Sequence, residues 1–89
     1  MNVQRVERIE ALLRENLSPE FLEIEDDSHH HAGHAGAQNG AGHFSVKICS
    51  RAFIGQTPIK RHRMVYAALA SMMDSDIHAL SIDATVPTE

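Results

Sequence analysis

The residues best suited to chemistry in this 89-residue chain are its imidazoles. Five of the seven histidines fall within DDSHHHAGHAGAQNGAGHF (26–44), and His62 and His78 complete the set. Neutral imidazole is a borderline donor that suits zinc, iron, copper or nickel, so His29, His30, His31 and His34 are candidate metal ligands. Gly33, Gly36, Gly40 and Gly42 deprive that stretch of a rigid frame. From spacing alone it reads as a mobile hairpin connection with solvated histidines, and a metal site built by one or two of them is the alternative.

Sulfur is scarce. Cys49 is the one cysteine, which excludes an internal disulfide framework and fits a reducing compartment. A lone thiol is more often a passive small residue than a nucleophile. No Ser/His/Asp arrangement, phosphate loop, Cys-x-x-Cys or His-Glu-x-x-His pattern is present, so an enzyme is not expected.

The elements that must position these groups follow from periodicity. Val3, Val6, Ile9, Leu13 and Leu17, widened by Leu12, form one stripe of a helix over 3–17, which Ser18-Pro19 ends. FLEIED (21–26) alternates, with Leu22 and Ile24 on one side, and HFSVKICS (43–50) alternates with Phe44, Val46 and Ile48 inward and Cys49 on the polar face. Two such strands joined by a Gly-rich loop predict a hairpin. Thr57 and Pro58 supply the N-cap and first position of a second helix. Its apolar stripe takes Ile59, Val65, Tyr66, Leu69, Met72 and Met73, with Lys60, Arg61 and Met64 pointing away. His62 falls in the middle of that stripe and is expected to be buried against a polar partner.

IHALSIDA (77–84) alternates as a third strand, with His78 in phase with Leu80 and Ile82. His78 is then either a hydrogen-bonded histidine at the core margin or a ligand held near the loops. Residues 85–89 are expected to fray. The order α-β-β-α-β, with an extra turn near 51–58, predicts a single α+β sandwich domain over 1–89, its three-stranded mixed sheet covered by helices on one face. No apolar run approaches a membrane span, and the chain reads as soluble and cytoplasmic.

The net charge of −4 argues against a surface that attracts nucleic acid everywhere, but the distribution is uneven. Residues 20–27 carry five acidic groups and no basic one, while Lys47, Arg51, Lys60, Arg61 and Arg63 concentrate in 47–63 with no acidic one. That segment is a candidate contact for a protein partner or for DNA.

DDSHHHAGH, GHF ahead of a strand, RAFIGQTPIKRHRMVYAAL and IHALSIDATVP, in this order from about Glu10 to Pro87, together resemble the BolA family. The resemblance implies a class II KH-like fold, α-β-β-α-α-β. It also implies a partner, a monothiol glutaredoxin, with which BolA-like proteins share a 2Fe-2S cluster held on the other side by the glutaredoxin cysteine and a glutathione thiolate. The family's strand histidine matches His78. Its loop ligand matches His31 by counting from DDS, with His34 and His29 as alternatives. KRHR and the third strand match the glutaredoxin-binding surface. The family's link to transcriptional control keeps a KH-like nucleic-acid-binding regulator as the second reading, although the Gly-x-x-Gly clamp of KH modules is reduced here to Gly55.

Overall fold

Pro19 cannot continue a helix, and Ser18 turns the chain into the left-handed region with φ 44° after α1 (Asn2–Leu17). The chain then enters β1 (Phe21–Asp26), which pairs antiparallel with β2 (Gly42–Cys49), Ile24 facing Val46 and Leu22 facing Ile48. The computed structural model describes residues 2–27 and 42–87, so the histidine-rich connection lies outside the described residues. A single 3-10 turn (Arg51–Phe53), α2 (Pro58–Ala68) and α3 (Ala70–Met73) carry the chain across to β3 (Ile77–Thr85). That crossover is what a parallel strand requires, and β3 lies parallel to β2 to give the sheet order β1-β2-β3. The α+β architecture with a three-stranded mixed sheet is as the sequence predicts.

Alternation sends Phe44, Val46 and Ile48 of β2 inward, where Ile9, Leu13 and Leu17 of α1 and Val65, Leu69 and Met72 of the later helices close over them. The opposite sheet face carries Glu23, Glu25, Lys47, Ser81 and Asp83, all exposed, and the partly buried Ser45. Buried Ser50 ties two elements together. Its hydroxyl donates to the Leu17 carbonyl at 2.5 Å and accepts from Ala52 N at 3.0 Å, so one side chain serves the end of α1 and the start of the turn. Thr57 Oγ1 accepts from Lys60 N at 3.2 Å, the expected cap of α2.

Three expectations need correction. Helix α2 is rotated from its predicted phase: Met64, Val65, Ala68 and Leu69 face the core, whereas Ile59 is 66% exposed, Tyr66 is 40% exposed and His62 is exposed rather than buried. Arg61 does not point away. Its stem lies partly buried while the guanidinium donates to the carbonyls of Gln56 at 3.0 Å and Ala84 at 3.3 Å. The ordered chain also extends further than 84: Thr85 belongs to β3, its carbonyl accepts from Ser50 N at 3.0 Å, and Val86 packs into the core.

Candidate metal centre

Simple alternation cannot hold through the start of β3, because Ile77 is 2% exposed while Leu80 and Ile82 also pack on the core. The chain resolves the conflict with a register shift. Gly42 faces Ile77 and His43 faces Ala79, so His78 is the extra residue opposite nothing. Such a bulge re-aims a side chain. His78 leaves the core phase in which the sequence placed it and becomes exposed. There its ring meets the ring of His43, with centroids 5.0 Å apart and planes inclined by 45°.

His43 occupies the outward phase of β2, half-buried, with Nε2 shielded from solvent. Both backbones around this pair are fastened. Asp27 N donates to the His43 carbonyl at 2.7 Å and Gly42 N donates to the Asp76 carbonyl at 3.0 Å. Asp76 is itself a junction: its N–H donates to Met72 O at 2.9 Å, and its carboxylate meets Arg5 at 3.3 Å and Arg8 at 3.1 Å. The Asp27 carboxylate accepts from the Ser45 hydroxyl beside His43. Two imidazoles thus stand at one corner of the sheet, at the end where the hairpin connection leaves and returns.

Of the ligands the sequence pointed to, the structure describes His78 alone; His29, His30, His31 and His34 lie outside the described residues. His43 is the residue that sequence reasoning passed over. Cys49 cannot join the pair, since it sits at the other end of β2, six residues from His43, or about 20 Å along a strand. Among the described residues no three His, Cys, Asp or Glu side chains converge as a complete cation cage. The corner thus brings two imidazoles together, and any further donor would come from outside the described residues or from another molecule.

The basic segment does not form one patch. Arg51 is paired with Glu20 at 2.8 Å, Arg61 holds backbone carbonyls, and Lys47 stands on the open sheet face in register between Glu23 and Asp83. Lys60 and Arg63 are exposed on α2, on the flank where Tyr66 Oη lies 3.5 Å from the Leu80 carbonyl of β3. No helix among the described residues is long and apolar enough to cross a membrane.

Comparison with known proteins agrees with this architecture. The family model described as BolA-like protein matches residues 13–89. The SufE-like protein 1, chloroplastic/mitochondrial, of Arabidopsis thaliana is 45% identical over 87 residues, covering 92% of this chain and 24% of that protein. The DNA-binding transcriptional regulator BolA of Escherichia coli is 41% identical over 76 residues, covering 85% of this chain and 70% of that protein. Among solved structures, the BolA domain of SufE1 from Arabidopsis thaliana superimposes with a TM-score of 0.82 at 44% identity, covering 93% of this chain and 92% of that domain. The chain spans 24% to 57% of the length of the Arabidopsis and human relatives it matches. A family match over most of the chain, the matching fold and this level of identity have one reading: the chain belongs to the BolA family.

Proposed function

We propose that this chain is a non-catalytic adaptor that binds a monothiol glutaredoxin and co-ligates a 2Fe-2S cluster, in iron–sulfur cluster trafficking or iron sensing in a reducing compartment such as the cytoplasm. The observation that carries the reading is the exposed His78 on its bulge with a second imidazole beside it. A 2Fe-2S cluster takes four ligands, most often thiolates. This chain offers imidazoles in one corner and a single, distant sulfur, which suits half of a mixed site and no more. His78 would hold the cluster together with a second histidine, and a glutaredoxin cysteine and glutathione would supply the two thiolates. The cluster would bring one-electron chemistry at a potential raised by histidine ligation. The chain's own residues fix the geometry: the bulge aims His78, and Asp76 with Arg5 and Arg8 anchors the backbone that leads to it. Exposed Ile59, Lys60, Arg63 and Tyr66 on α2, next to β3, give the glutaredoxin a surface of mixed apolar and cationic character.

Mixing the chain anaerobically with a monothiol glutaredoxin, glutathione, iron and sulfide is expected to yield a coloured heterodimer. Its visible absorption and circular dichroism should differ from those of the glutaredoxin homodimer. A spectrum identical to that of the homodimer, with the two proteins eluting separately, refutes the proposal.

The name of the Escherichia coli relative favours a second reading, DNA binding. Its basis here is narrow: among the described residues, Lys60 and Arg63 alone of the five basic residues in 47–63 stand exposed without an ion pair, a backbone bond or acidic neighbours on the sheet. Titration of labelled duplex DNA at two salt concentrations distinguishes the readings. The adaptor reading expects no binding at micromolar protein. Binding whose affinity drops steeply with salt, as phosphate contacts require, would favour the regulator.

A further inference from the structure

We propose that the outer edge of β1 is a docking strip for a basic, extended segment of a partner protein, which adds to the sheet as a fourth strand. The proposal goes beyond the adaptor reading and is independent of it, because β1 lies at the opposite edge of the sheet from β3.

Hydrogen bonding fixes which main-chain groups are open. Asp27 N donates to the His43 carbonyl, and that pair continues the register in which Glu25 faces Ser45 and Glu23 faces Lys47. Odd-numbered residues of β1 therefore bond to β2, and the N–H and C=O groups of Leu22 and Ile24 point away from it. No other strand or side chain among the described residues pairs with these groups. Such a row of donors and acceptors is a template for an added strand.

The side chains set the chemistry of the occupant. On the inner face Leu22 and Ile24 are half-buried at the margin of the core, so the residues set beside them would be apolar. On the outer face Glu23 and Glu25 are exposed, and with Ser45 and Lys47 they line a notch of about 100 Å³. Lys47 stands opposite Glu23 but has Asp83 on its other side, so it does not neutralise the row, and Glu25 adds to the negative excess. A segment that alternates apolar and basic residues meets both faces at once. A second copy of β1 fits poorly. An antiparallel pairing of Ile24 with Ile24 would place Glu23 opposite Glu25 twice, and one of Leu22 with Ile24 would place Glu23 opposite Glu23. Like charges so opposed destabilise a strand pair.

The probe is a short capped peptide that alternates valine and lysine, titrated into the full chain at low salt while amide NMR signals and hydrogen exchange are followed. The amides of Leu22 and Ile24 are expected to shift and gain protection, while those of Leu80, Ile82 and Ala84, which face the other free edge, hold still. Glu23→Gln combined with Glu25→Gln should weaken binding roughly 2- to 30-fold, the loss of two cross-strand charge pairs. Both positions are exposed, and an otherwise unchanged amide spectrum reports that the variant is folded. A copy of the peptide N-methylated at every residue keeps its charge, loses its main-chain donors and should not bind. The proposal is overturned if no shift occurs, if both edges shift equally, if the glutamine variant binds with parent affinity, or if the methylated peptide binds as well as its parent. Protection of Leu22 and Ile24 that rises with protein concentration alone would make a second copy the occupant and overturn it too.

Discussion

Replacing His78 by alanine is expected to erase the spectrum that distinguishes the mixed glutaredoxin complex while leaving the fold intact. The two halves of this expectation have separate physical grounds. His78 is exposed and sits on the unpaired residue of a bulge, so its side chain contributes little to packing. Surface substitutions of that kind stay within about 0.5 kcal/mol of the parent stability. As a ligand the same ring is not replaced by the chain's sole thiol, which is at the far end of β2, nor by any third donor among the described residues. Losing a ligand costs more than losing a supporting partner, for which the usual loss is about 10–100-fold in affinity. Visible circular dichroism of the reconstituted mixture, read beside a melting curve of the isolated variant, checks both halves. An unchanged spectrum in a folded variant would remove His78 from the cluster.

The second large effect lies in the core. Phe53→Ala should destabilise the domain by about 3–5 kcal/mol, the usual loss for emptying a fully enclosed aromatic position. Phe53 is 0% exposed and is held on a three-residue turn, its N–H donating to Ser50 O at 3.2 Å and its carbonyl accepting from Gln56 N at 3.0 Å. The backbone is therefore pinned on both sides and cannot collapse into the void. A domain of this size has on the order of 4–13 kcal/mol to lose. The expected fall in melting temperature is on the order of 12–40 °C, because each kcal/mol is worth about 4–8 °C in a domain of 60–100 residues. Calorimetry or thermal circular dichroism reads this directly. A fall of only a few degrees would mean that the site repacks and that the turn is softer than its hydrogen bonds imply.

Much of this was legible in the residues. Strict alternation in FLEIED and HFSVKICS gave the two strands and their inward faces, and Pro19, Thr57 and Pro58 marked the helix boundaries by their chemistry. The phase of α2 was not legible. Ile59 and Tyr66 are apolar yet exposed, while Arg61 buries its stem and spends its charge on backbone carbonyls, so hydropathy alone rotated the stripe. The imidazole corner was half legible. His78 stood out beside Leu80, but its phase depended on extrapolating the alternation back through a bulge that no local residue announces. His43 was missed for a related reason. Its approach to His78 depends on the register of two parallel strands 35 residues apart in sequence, and register across a crossover has no signature within either strand.

The leading helix does more than seal the hydrophobic layer. Ile9, Leu13 and Leu17 perform that task, whereas Arg5 and Arg8 reach past it to Asp76, two residues before His78. Replacing Arg5 and Arg8 by glutamine would thus leave those core side chains in place and unfasten the corner where the imidazoles meet. The N-terminal turns act as a remote strut for the edge that carries His43 and His78, and the precision of that edge is set by residues about seventy positions away in the chain.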